Sequence, residues 1–315
     1  MSDNVWREWA RRATMAPGAV YALILLSLIF SLFTAQFLTL PNLANVGMQA
    51  AVLVIVALGM TLIILSEGID LSLGPILGLA GVILALCVKQ QMPLALAILL
   101  ALLAGAAFGG LNGVLIARLE LPPFVVTLGT FGMAQGLALV LTEGSSVPGM
   151  GPGVQYFNDG QILGLPVPIV MVAVTFLVVY VVLYHTKFGT YVFALGGNQE
   201  ALALAGVRTR LYKTGVYVLG GALAGVGALV MTGRMNAAHP TVGVGLEFDA
   251  IASVILGGTS FERGKGWLVG TLIGVAAVGV LRNGLNLIGL STSWQVSMVG
   301  TVIILAIVVD ALRGI

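Results

Sequence analysis

Charge-free apolar stretches of bilayer-crossing length, about 20 residues each, recur along the chain at 19–36, 48–66, 71–88, 93–117, 122–142, 164–184, 214–233, 266–287 and 293–312. Each predicts a membrane helix. A shorter apolar piece, 249–261, starts at Asp249, ends beyond Gly257-Gly258 and falls below spanning length. By itself it reads equally as a re-entrant segment or a short helix, giving ten crossings if it crosses and nine if it does not.

Positive residues are retained on the cytoplasmic face, so they test that count. With an inner N-terminus and ten crossings, Arg7, Arg11, Arg12, Arg118, Lys187, Arg208, Arg210, Lys213, Arg263, Lys265 and Arg313 fall inside. Lys89 and Arg234 fall outside, and Arg282 lies within a span. Nine crossings would put Arg263, Lys265 and Arg313 on the disfavoured face. The charges favour ten, with both termini cytoplasmic. Residues 1–16 suit a short interfacial helix, with Trp6, Trp9 and Ala13 on one face and the arginines largely off it. A cationic tail that only enforces topology is the alternative, and no signal-peptide pattern is present.

Composition agrees. Of 315 residues, 59% are hydrophobic and 8% charged, against about 25% charged in soluble domains. A water-soluble enzyme or a nucleic-acid binder is excluded, and the net charge of +2 implies no anionic partner. One cysteine, Cys87, rules out an intramolecular disulfide or a cysteine metal cluster. The fold class expected is all-α, a single polytopic transmembrane domain over 1–315 embedded in lipid.

Glycine supplies 43 residues, roughly twice ordinary usage. Gly74/Gly78, Gly105/Gly109, Gly132/Gly136, Gly221/Gly225 and Gly270/Gly274 are pairs four apart inside spans, a spacing that lets helices approach closely. A shift of 171 residues lays Asn112-Gly113 on Asn283-Gly284, Val125 on Val296 and Gly129-Thr130 on Gly300-Thr301. Gly68-Ile69-Asp70-Leu71 has a looser echo in Glu247-Phe248-Asp249-Ala250. The offset is five crossings, an odd number, so the two copies face opposite ways, as in the inverted repeats of transporters.

Enzyme chemistry finds no foothold. The run Gly258–Gly266 misses the phosphate-loop pattern by one residue and lacks its Ser/Thr. His185 and His239 fall on opposite faces and cannot share a metal. No acid sits in mid-span as a proton- or sodium-driven carrier would need. The energy source is expected in another chain.

Residues 186–213 carry the strongest local signal. Gly196-Gly197 breaks the chain, Asn198 is a good N-cap, Glu200 puts an acid in the first turn, and Gly206 is a natural stop. The short helix between them has an apolar centre, Ala201–Ala205, on the wet side. It either folds onto the protein's own helix ends or fills a groove on another protein.

This loop, together with Ser66-Glu67-Gly68-Ile69-Asp70-Leu71-Ser72-Leu73-Gly74 and with Gly245–Ala252 through Ile255–Ser260, resembles the ribose/xylose/inositol class of ABC importer permeases. The likeness runs from about residue 40 to 312. It implies that Gly197, Asn198, Glu200, Ala205 and Gly206 form a coupling helix that docks into a cytoplasmic ATPase. It further implies a pair of permease subunits, identical or paralogous, an outer sugar-binding protein and a bacterial inner-membrane location. ATP and magnesium would bind the ATPase, with no cofactor in this chain. The family usually has glycine where Glu67 stands, and Gly-Gly where Arg263-Gly264 stands. On this reading the chain forms the path of an ATP-driven sugar importer by alternating access. Ser72, Asn112, Thr130, Asn283, Gln295 and Thr301 are candidates to face the sugar, each with an interhelical hydrogen bond as its alternative. Glu67, Asp70 and Asp249 are read as turn residues, Asp70 capping the third span. The rival function is a self-contained secondary transporter or channel for a small polar solute.

Overall fold

The computed structural model describes residues 18–261, 264–291, 293–295, 297–301 and 304. Its helices are α1 (Gly18–Phe33), α2 (Leu40–Leu65), α3 (Leu73–Lys89), α4 (Leu94–Arg118), α5 (Pro123–Thr142), α6 (Gly151–Asp159), α7 (Val167–His185), α8 (Lys187–Leu204), α9 (Thr209–Met235), α10 (Leu246–Leu256) and α11 (Leu268–Leu287). Residues 293–295 and 297–301 are also helical. The interfacial helix expected over 1–16 and most of the expected span 293–312 lie outside the described residues.

Among the described residues, α2, α4, α5, α7, α9 and α11 are long and apolar enough to cross a membrane, while α1 and α3 are shorter apolar helices. The fold is an all-α polytopic membrane bundle. Among the described residues the only strands form two small ribbons: β1 (Val147–Pro148) pairs antiparallel with β4 (Ala237–Ala238), and β2 (Gln161–Ile162) pairs with β3 (Leu165–Pro166).

Where each helix sits follows from what it presents. Every residue of α2 from Ala51 to Leu65 is buried, and so is every residue of α3 from Leu73 to Val82. These two helices form the core with α9. By contrast α4, α5 and α7 turn Leu96, Leu99, Leu103, Leu128, Val174 and Leu177 outward. Apolar surface of that extent suits lipid or another apolar protein face.

Glycine sets the closest crossings. Gly105 and Gly109 of α4 face Gly221 of α9 so tightly that a Cβ at any of the three would strike the opposing backbone. Gly74 and Gly78 let α3 lie against the chain at Gly243 and Pro240, and Gly270 and Gly274 let α11 lie against Gly257 and Ser253. Gly132 and Gly136 depart from expectation. Nothing lies within 4 Å of either Cβ position, because α5 presents them on its outer face.

The packing also has a two-fold pattern. Exchanging α2 with α9, α3 with α10 and α4 with α11 maps the contact of α4 on α9 onto that of α11 on α2. The contacts of α3 on α4 and on α9 likewise map onto those of α10 on α11 and on α2. The pattern breaks at the periphery, where α1 packs on α11 but α7 packs on α2.

Some boundaries differ from the sequence pattern. Helix α2 begins eight residues before the apolar run, because Pro41 suits a first turn and Asn42 is satisfied inside the protein, donating to Phe37 O at 2.8 Å. The stretch between α5 and α7, which the sequence pattern leaves without an element, holds α6 and the three short strands β1, β2 and β3. The short segment is helical from Leu246 to Leu256, three residues earlier than Asp249, after a turn whose Gly245 has φ +96°.

Candidate functional site

Helix α8 consists of two helical pieces joined at a kink. Thr186 accepts from the Gly189 N–H and caps the first piece, which tucks Val192, Leu195 and Gly196 into the protein. Helical geometry then fails at Asn198 (φ −165°, ψ 95°), two residues beyond Gly196, so the break falls at the capping residue and not at the glycine pair. The Asn198 carboxamide oxygen accepts from the Ala201 N–H at 2.8 Å, the bond an N-cap makes to the third helical residue. At the other end Gly206 N–H donates to Ala203 O and Val207 N–H to Leu202 O, with Gly206 at φ +82°. That is a Schellman stop.

The little helix between these caps stands clear of the subunit. Gly197, Asn198, Glu200, Ala201, Ala203, Ala205 and Gly206 are exposed, and Leu204 is 84% exposed. Its apolar centre therefore does not fold onto the protein's own helix ends. The Lys213 ammonium donates to Gln199 Oε1 at 3.0 Å and ties its first turn to α9.

A second polar cluster lies where α3 and α10 begin. Asp70, fully buried, accepts at Oδ1 from the Ser72 N–H (2.8 Å) and hydroxyl (2.5 Å). Asn112 of α4 donates to Ser72 Oγ at 2.8 Å and to Asp70 Oδ2 at 3.2 Å, and accepts from the Thr130 hydroxyl of α5 at 2.7 Å. Asp70 thus bonds the backbone and side chain of Ser72, the residue at the N-cap position of α3. The backbones of Gly74 and Gly243 touch, and the Glu247 carboxylate occupies the space a Cβ on Gly74 would need. Two helix N-termini, those of α3 and α10, are therefore brought together with carboxylates beside them, the sign that helix dipoles favour.

The second half carries its own clamp. Arg282 of α11 bonds both oxygens of Asp249 on α10, at 2.8 and 2.6 Å. Asn283 and Asn42 exchange amide hydrogen bonds at 2.9 Å in both directions and tie α11 to α2. Gln295 donates to Leu290 O, and the exposed Thr301 donates to Ser297 O within its own helix. So Ser72, Asn112 and Thr130 come together around Asp70, while Asn283, Gln295 and Thr301 are elsewhere. Glu67 is exposed, at φ +56° in the turn after α2.

Several residues of this region escaped the sequence reading. Glu247 was visible only as part of a motif, and Arg282 only as a charge inside a span. Tyr217 gave no signal: its side chain is fully buried in α9 with the hydroxyl over Gly68. Among the described residues the Tyr217 hydroxyl and Glu247 Oε2 are buried without a hydrogen-bond partner. Among the described residues no three His, Cys, Asp or Glu side chains cluster to hold a metal.

Residues 42–307 match the family model for the permease component of the branched-chain amino acid transport system. The chain is 40% identical to the ribose import permease protein RbsC of Escherichia coli K12 over 308 residues, 96% of each chain. It is 40% identical to RbsC of Bacillus subtilis 168 over 295 residues, covering 93% of this chain and 92% of the relative. It is 35% identical to the D-allose transport system permease protein AlsC of Escherichia coli K12 over 297 residues, 94% and 91% of the two chains. No solved structure matches. A lipid-facing helical bundle, an exposed capped helix after α7 and a match over most of its length lead to one conclusion: the chain belongs to this family of transport-system permease components.

Proposed function

We propose that the chain is the membrane-spanning subunit of an ATP-driven importer of a monosaccharide such as ribose, and that it works by alternating access. The observation that carries this reading is the helix 198–206, capped at both ends, apolar at its centre and largely exposed among the described residues. A cytoplasmic ATPase is the partner it fits. Relatives named for ribose, allose and galactose import at 34–40% identity support a sugar as cargo.

On this reading the chain crosses ten times, with both termini in the cytoplasm of a bacterial inner membrane. The segment 236–256 makes the eighth crossing, partly as irregular chain along α3 and partly as α10. Irregular backbone is tolerated in a membrane where protein covers it, and Gly74 and Gly78 provide that cover. The exchange symmetry of the packing supports an inverted repeat. ATP and magnesium bind the ATPase. Closure of the ATPase moves the helix 198–206, opens the path to a loaded outer sugar-binding protein, and resets after hydrolysis. A second permease copy or a paralogue completes the path, and the open glycine face of α5 at Gly129, Gly132 and Gly136 suits it.

Ser72, Asn112, Thr130 and Asn283 serve this mechanism as interhelical clamps, since their polar groups are engaged within the subunit. A permease fed by a binding protein needs only a weak site, so a path lined by small and apolar groups suffices.

Replacing Glu200 and Gly206 together by alanine and leucine tests the coupling assignment. Uptake and binding-protein-stimulated ATP hydrolysis are expected to vanish, with membrane insertion unchanged. Wild-type stimulated hydrolysis in that variant would sink the assignment.

A further inference from the structure

The coupling segment enters the body of the permease at one buried glycine. A side chain at Gly196 would strike the carbonyl oxygen of Leu65, the last residue of α2, and the backbone of Gly264. Gly264 stands at φ +57° and packs in turn on Phe193 O and on the backbone of Gly196 and Gly197. Three chain segments thus meet backbone to backbone: the end of α2, the loop between α10 and α11, and the coupling segment. One residue further, a Cβ added at Gly197 would meet nothing within 4 Å, and the exposed helix begins.

What the two contacted segments lead to gives the meeting point its meaning. Leu65 opens into the turn 66–72, which delivers the clamped N-terminus of α3. Gly264 lies in the loop that follows α10, where Gly257 packs on Gly270. The starts of α3 and α10 touch each other at Gly74 and Gly243. The contacts close a ring, from Gly196 through Leu65 and the 66–72 turn to Gly74, across to Gly243, along α10 and back through Gly264. Close-packed interiors respond to a push by switching arrangement and not by yielding gradually.

We propose that the backbone joint of Gly196, Leu65 and Gly264 transmits movement of the helix 198–206 to both short helices, α3 and α10, at once. The proposal rests on the reading that 198–206 docks the ATPase. The competing route is the chain's own exit through Arg208 into α9, helped by the Lys213–Gln199 bond. In the joint, Gly196 is a positioning residue, buried against the backbones of Leu65 and Gly264.

The test uses the complete complex of permease, ATPase subunits and binding protein. In Gly196→Ala the ATPase subunits are expected to co-purify and hydrolyse ATP without the binding protein at the wild-type rate. Stimulation by loaded binding protein and uptake are expected to fall at least tenfold. Wild-type stimulation and uptake would overturn the joint, as would loss of the ATPase subunits, which would make Gly196 part of the docking surface. If only the Glu200/Gly206 double variant is silent, the docking reading stands and the joint fails; if that variant behaves as wild type, the docking reading itself fails. Hydrogen–deuterium exchange on the wild-type complex decides the matter independently of any substitution. Between nucleotide-free and ATP-trapped states, exchange is expected to change in both 66–72 and 257–266. Change confined to 198–206 and the first turn of α9 would overturn the proposal.

Discussion

Glu67 is one of six described non-glycine residues whose backbone takes a positive φ. After α2, Glu67 N–H donates to Ile64 O and Gly68 N–H to Ile63 O, a Schellman stop whose left-handed residue is Glu67, at φ +56°. Glycine would suit that position because it carries no Cβ penalty. Glu67→Gly is expected to stabilise the protein by about 1 kcal/mol, read as a higher unfolding midpoint in detergent. Asp249 and Arg282 give a second residue-scale prediction. Removing one partner leaves a largely buried charge, so Arg282→Met is expected to cost about 3 kcal/mol, most of it recovered when Asp249→Asn is added. A double-mutant cycle on thermal unfolding checks both values. Single residues were legible where their role is local. Asn198 as a cap and Gly206 as a stop could be read directly, because each acts on the backbone three or four residues away. Glu247 beside Gly74 could not be read, since that contact joins chain segments more than 170 residues apart.

Among elements, the apolar runs gave away the long helices and the shorter α1 and α3, left α10 ambiguous, and missed α6 and the piece 187–197. Helix α10 has 11 residues, about 16 Å of rise, and only its packing on α11 and α2 shows how it is accommodated. The piece 187–197 went unread as a helix because its glycines and aromatics give no clean periodicity; burial of Val192, Leu195 and Gly196 holds it. Glycine spacing was a true guide at four pairs and an incomplete one at Gly132/Gly136, for spacing reveals a face but not what meets it. That difference is testable. Gly109→Ile would drive a side chain into the Tyr217 carbonyl and is expected to abolish folded yield. Gly132→Ile meets open space within the subunit, so the single chain is expected to fold, while cross-linking between two permease copies falls. Equal yield and equal cross-linking for both variants would contradict this division.

For the whole molecule, polarity and helical class were legible because a bilayer leaves few options: backbone groups must be satisfied inside each segment. The closed ring of contacts from Gly196 through the starts of α3 and α10 was not, since it depends on how two halves dock. Ten crossings predict opposite access for two exposed apolar sites. A cysteine at Leu204 should react with an impermeant thiol reagent only from the cytoplasmic side, and one at Leu163, 99% exposed, only from outside. Labelling of both from one side would refute the topology. The central claim, that this permease draws its energy from a separate ATPase, is tested most directly in sealed proteoliposomes. Uptake of radiolabelled ribose is expected to require ATP and the ATPase subunits on one face and loaded binding protein on the other, and to persist when an ionophore dissipates ion gradients. Uptake by the permease alone that collapses with the ionophore would contradict the account.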